Sequence, residues 1–365
     1  MHKHLYISAI CLLVNLAGSA QEVKTRTLEL AMPCDPNATV FLEAARRHVA
    51  IRTTHENKVR LVTTVYYKGS PKLTDSAWLG RLSLHMRGTV NDILVEGGNL
   101  KSVYPLKKDY APIPYTGSDT GINEIETFDS TGLTFEPAKG IRRKFILYIP
   151  QGVKLNIESQ YADISLDSNV QHIKARTSRG SLTLKETVGL NLTGEYIAIF
   201  AGAIFDAQID ITNGRLNAKK IDFLDLRSKN SVIDLGAITR MKINSEVDDC
   251  EILEAGRISG TKNYGDLRVA SLLDSLDLTG VNADIKLREI KPEVTLIRID
   301  DKYAELRLPA TDLKNYSVNF QGADGTIYTP FDRPPAADST FQKIIGTGKP
   351  TEFRIRCDKC TLDMK

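Results

Sequence analysis

The sequence has little cysteine, and it has no apolar segment long enough to cross a membrane. Five of its 365 residues are cysteine, which excludes the disulfide-rich framework of small exported domains that lack a proper core. No run of eighteen uninterrupted apolar residues occurs after the first twenty residues, so the sequence predicts no transmembrane segment. The chain is long enough to bury a core of its own.

An excess of charge of one sign is also lacking. The chain carries 48 Lys and Arg against 45 Asp and Glu, a formal net charge of +3, and the two signs are interspersed. A nucleic-acid partner would require a clustered basic face, so none is expected. The serine-nucleophile motif Gly-x-Ser-x-Gly and the zinc-protease motif His-Glu-x-x-His are both missing. The sequence therefore assigns no catalytic residues, no metal and no cofactor.

The first twenty residues have the pattern of a secretory signal peptide. A basic start is followed by a mostly apolar run from Leu5 to Leu16, and Gly18-Ser19-Ala20 supplies the small residues of a cleavage site before Gln21. We therefore predict a signal peptide at residues 1–20 and an exported mature chain that is periplasmic, on the outer surface or secreted.

From Leu155 onward the sequence repeats with a fixed period. Pairs of apolar residues that flank one polar residue return every eight or nine positions, and two such pairs make one unit. The units begin at residues 155, 173, 190, 207, 224, 241, 258 and 276, and the nine-residue offset between pairs returns at 297/306, 318/327 and 353/362.

The residue types at these positions indicate strands. Of 44 flanking positions 42 are apolar, with Gly260 and Thr329 as exceptions, and the central position is polar except at Phe200 and Tyr328. Alternation of apolar and polar residues with period two is typical of a strand with one buried and one solvent-exposed face. We predict an all-β fold, a parallel β-solenoid with two short strands per coil of about 17 residues. We expect a right-handed coil, because parallel crossovers almost always have that hand.

The rest of the chain is less regular. Residues 21–150 are predicted to form a β-rich N-terminal region with a long insertion at 98–142, which is rich in Gly, Pro, Tyr and Asp. Residues 151–365 form the solenoid, with a second insertion at about 330–352, where closely spaced prolines rule out a central strand. We expect the coil at 353/362 to be the last one and to expose its edge.

The corners between the two strands of a coil have their own composition. The residue two positions before the second apolar pair is small in most units, as a tight corner requires. The next position carries the acids Asp163, Asp249, Asp266, Asp284 and Glu305. Stacked carboxylates can bind calcium, but the glycine-rich repeats of calcium-binding β-rolls are absent, so we interpret these acids as solvated.

Cys357 and Cys360 form the sharpest local motif. They connect the two apolar pairs of the coil at 353/362, whereas redox-active cysteine pairs normally open a helix. Zinc would need two further ligands, and no histidine is close in the sequence. Export favours a structural disulfide, and idle thiols or a redox pair are the alternatives.

Exposed aromatic residues are the candidate binding residues. Phe200 and Tyr328 interrupt the polar outward positions, and Tyr104, Tyr110 and Tyr115 cluster in the insertion at 98–142. Aromatic rings on a rigid scaffold suit the binding of a sugar or a protein. The alternative is that the insertion folds over the solenoid and covers Phe200.

Three stretches carry a resemblance to a known family. They are Arg46–Ile51 continuing through Asn57–Leu61, Leu147–Val153, and the recurring corner seen in Tyr264–Leu267 and Lys302–Leu306. Together they resemble the putative adhesin family of exported bacterial β-solenoid proteins, over residues 36–365. The resemblance implies a β-solenoid of the cell envelope and supplies no catalytic residues.

These observations favour a non-enzymatic cell-envelope protein that presents a rigid β-surface to a protein or a glycan. The alternative is a carbohydrate-active enzyme, a lyase or hydrolase, on the same scaffold. Two or more carboxyl groups with displaced pKa values in one groove would favour the enzyme.

Overall fold

The computed structural model describes residues 24–67, 74–97, 125–126, 143–331 and 340–365. The predicted signal peptide at 1–20 lies outside the described residues. So do Tyr104, Tyr110 and Tyr115, together with most of the insertion at 98–142. Within the described ranges, no helix is long and apolar enough to cross a membrane.

The described chain is nearly all strand, with one short helix, α1 (Asp75–Arg81). In chain order the strands are β1 (Lys24–Pro33), β2 (Thr39–Ala45), β3 (Arg47–Thr54), β4 (Lys58–Tyr67), β5 (Leu84–Gly88), β6 (Asp92–Gly97), β7 (Ile125–Glu126), β8 (Arg143–Pro150), β9 (Lys154–Gln160), β10 (Asp163–Leu166), β11 (Val170–Thr212), β12 (Arg215–Lys229), β13 (Val232–Glu246), β14 (Asp249–Ile290), β15 (Leu296–Lys302), β16 (Glu305–Arg307), β17 (Tyr316–Gln321), β18 (Thr326–Tyr328), β19 (Phe341–Ile345), β20 (Thr351–Asp358) and β21 (Thr361–Asp363). All belong to one sheet, and most of its pairings are parallel.

The pairing register equals the sequence period. Ile199 lies opposite Leu216, which lies opposite Ile233, which in turn lies opposite Cys250. Each stretch of about 17 residues therefore runs in parallel beside the next one, and we call such a stretch a layer. The predictions of an all-β chain and a mostly parallel sheet are confirmed.

The alternation of apolar and polar residues sets the core. Within β12, Leu224 and Leu226 are buried and the intervening Asp225 points outward. The inward exception Gly260 also has a physical reason. Its φ is +130°, and a β-carbon there would overlap the carbonyl oxygen of Ile243 in the preceding layer.

The order of the layers in space differs from their order in the chain at both ends. β2 and β3 lie between β6 and β8 on one side and β9 and β10 on the other. The sheet thus continues across residue 150, the boundary predicted from the sequence. At the other end, β20 pairs with both β15 and β17, so it lies between them. β17 comes before β20 in the chain, so the chain first forms the outer layer and then the layer enclosed by it. The expectation that the coil at 353/362 is the last one is therefore wrong.

Antiparallel strands cover the outermost layers. β4 pairs antiparallel with β8 and carries β1 on its other edge, and β5 pairs antiparallel with β6. At the opposite end β19, which lies within the predicted insertion at 330–352, pairs antiparallel with β17. A stack of parallel layers leaves an open sheet edge at each end, and these antiparallel strands pair with that edge.

The four cysteines in the described part of the chain are buried. Cys357 and Cys360 form a disulfide with a Cα–Cα distance of 5.8 Å, in the layer enclosed by β15–β16 and β17–β18. Cys250 is buried, and burial raises the pKa of its thiol to about 12. Cys34 is also buried and free.

The register predicts opposite outcomes for two adjacent substitutions in β12. Leu226→Asp should cost several kcal/mol of unfolding free energy, because an unpaired charge would be buried in the core. Asp225→Ala should change the stability by no more than about 0.5 kcal/mol, because its side chain is on the outward face. Denaturant melts of the two variants measure both values, and equal losses would contradict the register.

Candidate functional site

The structure keeps the two described aromatic candidates apart. Phe200 and Tyr328 are 42% and 49% exposed, as outward positions should be. Both belong to one outward column, but seven layers separate them, which contribute Asn217, Asp234, Glu251, Arg268, Lys286, Arg307 and Asp363 to that column. They do not form a single patch.

Some of the charges on the outward faces of the sheet are paired. Charged residues pair with partners one layer away, as in Arg215–Asp234 at 2.6 Å and Lys229–Glu246 at 2.9 Å. Such exposed pairs contribute at most about 1 kcal/mol each.

One corner of every regular layer has an unusual backbone. A residue with φ near +55° recurs at the same position in each layer, and we call this set the corner ladder. Its members are Arg46, Tyr161, Arg179, Tyr196, Asn213, Asn230, Val247, Tyr264, Asn282, Tyr303, Asp324 and Lys359. The left-handed conformation is common for Asn and uncommon for Tyr, Arg and Val, so residue types other than Asn or Gly need a reason at these positions.

Backbone hydrogen bonds hold the corner ladder in register. The amide of Asn213 donates to the carbonyl of Lys229 at 2.9 Å, and the amide of Asn230 donates to that of Glu246 at 2.9 Å. Each corner is thereby tied to the residue preceding the next corner. Successive ladder side chains are held ~4.8 Å apart, the spacing of neighbouring strands.

The ladder side chains contact one another from layer to layer. The guanidinium carbon of Arg179 lies 5.5 Å from the ring centroid of Tyr161 and 5.1 Å from that of Tyr196. We call these three residues the arginine sandwich. Further along, the amide nitrogen of Asn230 donates to the side-chain oxygen of Asn213 at 2.5 Å. Near the far end Lys359 lies over Tyr303 at 5.6 Å.

Buried polar groups support the ladder from inside. Asp248 accepts hydrogen bonds from the amide of Ser231 and the hydroxyl of Ser245, both at 2.6 Å. Lys262 donates to the carbonyls of Asp248 and Tyr264, at 2.8 and 2.5 Å. Burial lowers the pKa of Lys262, and the nearby Asp248 acts in the opposite direction. These bonds satisfy backbone groups that the corners would otherwise leave buried and unpaired.

Asp301 plays the same part at the next corners. It is 3% exposed, and its carboxylate accepts hydrogen bonds from the backbone amides of Lys302, Asn282 and Ala283. Burial raises the pKa of Asp301 to about 6, although the three amides favour the charged form.

The sequence contains a signal for the corner ladder. Tyr and Asn recur at the position just before the corner residue, at 161, 196, 213, 230, 264, 282 and 303. Tyr264 and Tyr303 contribute to the family resemblance, and the sequence alone assigns them no role. The acids that follow the corner do not assemble a site, since within the described ranges no three His, Cys, Asp or Glu side chains gather as metal ligands.

Comparison with known proteins finds similarity to solved structures alone. No protein-family model and no curated protein matches the chain. A putative cell adhesion protein from Clostridium sporogenes ATCC 15579 is 8% identical over 93% of this chain and 99% of that one, with a TM-score of 0.21. A putative adhesin from Bacteroides fragilis NCTC 9343 is 8% identical over 76% of this chain and 97% of that one, with a TM-score of 0.34.

Both descriptions agree with the adhesin family that the sequence resembles. At 8% identity and with TM-scores below 0.5, neither similarity bears on what the chain binds.

The raised pKa of Asp301 predicts a pH dependence of stability. Between pH 4 and 6 the folded chain binds more protons at this carboxyl group than the unfolded chain, so its contribution to stability falls as the pH rises. The shift from 3.8 to about 6 corresponds to ~3 kcal/mol. Asp301→Asn cannot ionise, so the free energy of unfolding of the wild type should fall relative to this variant from pH 4 to pH 7. Parallel curves in denaturant melts across that range would contradict the assignment.

Proposed function

We propose that this chain is a non-enzymatic, exported protein of the cell envelope that binds a protein or a glycan through its corner ladder. The observation that carries the proposal is the row of Tyr, Arg and Asn side chains, most of them exposed, each fixed at one corner of one layer. We take the layers to be coils of a right-handed β-solenoid, the hand that parallel crossovers adopt.

The composition of the ladder supports binding. Tyr and Arg are enriched at the energetic centres of interfaces, and Asn supplies adaptable hydrogen bonding. Binding normally costs the entropy of immobilising side chains. Arg179 between its two rings and Asn230 on Asn213 are already restrained by contacts within the ladder, so this cost is small.

The backbone conformation of the ladder also supports a binding role. Val247 has a φ of 58°, which is an outlier for a β-branched residue, and Tyr196, Tyr264 and Tyr303 occupy the same strained region. Glycine or Asn would form these corners at lower cost. Retaining large side chains where the backbone disfavours them supports a role for those side chains at the surface.

Export is supported by the predicted signal peptide and by the disulfide. A Cys357–Cys360 bond persists in an oxidising compartment and is rare in the cytosol. The enzyme alternative gains no support from the displaced pKa of Asp301. That carboxyl group is buried and faces backbone amides, so it cannot reach a substrate.

Binding of the mature protein to immobilised cell-envelope extract tests the proposal. The ladder variant Tyr196→Asn/Tyr264→Asn should bind at least ten-fold more weakly, because two exposed rings are lost and Asn suits the corner, as it does at Asn213. The control variant Lys242→Ala/Glu251→Ala changes two exposed residues of the outward faces and should bind within about two-fold of the wild type.

Treatment of the extract separates the two kinds of partner. Protease should abolish binding to a protein, and periodate should abolish binding to a glycan. If the ladder variant and the control variant bind equally well, or if the wild type is not retained, the proposal is wrong.

A further inference from the structure

We propose that the arginine sandwich binds an anionic group of an acidic glycan, a linear polymer whose sugar units carry carboxylate or sulfate. This inference rests on the proposed binding function and names the chemical class of the partner.

The sandwich holds Arg179 in a form suited to an anion. Tyr161 and Tyr196 lie one layer to either side of it, with ring centroids 5.5 and 5.1 Å from the guanidinium carbon. Aromatic rings stack on the faces of a guanidinium and leave its in-plane N–H donors free. Those donors form a planar fork that matches the two oxygens of a carboxylate or sulfate.

Arg179 also lacks the acid partner that Arg176 of the same layer has. Arg176, three residues earlier, pairs with Glu158 at 3.7 Å, and Asp163 accepts a hydrogen bond from the hydroxyl of Ser181 at 2.7 Å. No carboxylate in the described part of the chain pairs with Arg179, which is exposed. Its charge is therefore available to a ligand from solution.

The neighbouring layers extend the same chemistry along a line. Arg46 stands one layer beyond Tyr161, is exposed, and supplies a second cation. On the other side of Tyr196 follow Asn213 and Asn230, whose amide side chains both donate and accept hydrogen bonds, as sugar hydroxyls do. A linear polymer with hydroxyl and anionic groups at regular intervals matches a row with one side chain every ~4.8 Å.

The backbone of the ladder argues against an extended peptide. Peptides that bind sheets usually add a strand to a free edge. Here the amide of Tyr161 already donates to the carbonyl of Ser178 at 2.9 Å, and that of Arg46 donates to Gln160 at 3.0 Å. The corner thus presents side chains and no free edge, which suits a glycan better than a strand.

The test uses polygalacturonate as the carboxylated probe, its fully methyl-esterified form as the uncharged probe, and heparin as the sulfated probe. Poly-glutamate serves as an acidic polypeptide. Affinities of the full mature chain are measured by isothermal titration calorimetry at fixed salt, because salt screens these contacts. Either polygalacturonate or heparin should bind, and the probe that binds more tightly identifies the anionic group. If that group is carboxylate, the methyl ester should bind at least ten-fold more weakly than polygalacturonate.

Two matched variants locate the site. Arg179→Asn places at this corner the residue that the chain itself uses at Asn213, so it should fold, and a thermal melt checks that it does. It should weaken binding of the preferred anionic glycan at least ten-fold, because a charge-assisted bidentate contact is lost. Arg176→Asn removes another exposed cation of the same layer and should change the affinity by no more than about two-fold.

Several results would overturn the inference. They are equal losses in the two variants, binding of poly-glutamate as tight as that of the anionic glycan, or no binding of either anionic glycan. Retention of the wild type on envelope extract, with loss in the Tyr196→Asn/Tyr264→Asn variant, would in each case leave the proposed function standing.

Discussion

Parallel backbone pairing between neighbouring layers is the constraint from which the other features follow. A layer can pair along its whole length with the next one only if every layer has the same length and turns at the same positions. The left-handed residue at the corner ladder provides that turn, and the residue after it is small in most layers. At Gly265, for example, a β-carbon would overlap the carbonyl oxygen of Asp248 in the preceding layer. One side chain per layer is thereby placed on a straight, exposed edge.

The same constraint explains the interior beneath that edge. Corners leave amides and carbonyls that neighbouring strands do not satisfy, and the chain meets them with Asp248, Lys262 and Asp301. Burying these groups is costly, which is why the pKa of Lys262 is lowered and that of Asp301 is raised. Parallel pairing also explains the ends of the sheet. A stack of parallel layers leaves an unpaired edge at each end, and antiparallel strands such as β4 and β19 cover it.

Much of the fold could be predicted from the sequence, because a strict period with apolar and polar alternation has few physical solutions. The register at Leu226 and Asp225, for instance, follows from that alternation. The spatial order of the layers at the two ends could not be predicted. The layers at 40/49, 318/327 and 353/362 have similar sequence patterns, and no local sequence feature indicates which layer lies outermost. The corner ladder is difficult to predict for a different reason. Its residues mix Tyr, Asn, Arg and Val, so the recurrence of Tyr and Asn is only a partial signal, and the backbone φ values show that all of them share one position.

Cysteine cross-linking of the corner ladder tests this account most directly. In Asn213→Cys/Asn230→Cys the two Cα atoms belong to adjacent layers, ~4.8 Å apart, which is within the range of a disulfide. In Asn213→Cys/Val247→Cys they are two layers apart, ~9.6 Å, which is beyond that range. Mass spectrometry of the oxidised, non-reduced proteins should find the new disulfide in the first variant and free thiols in the second. Disulfide formation in both variants, or in the second alone, would contradict the stacking of one ladder residue per layer.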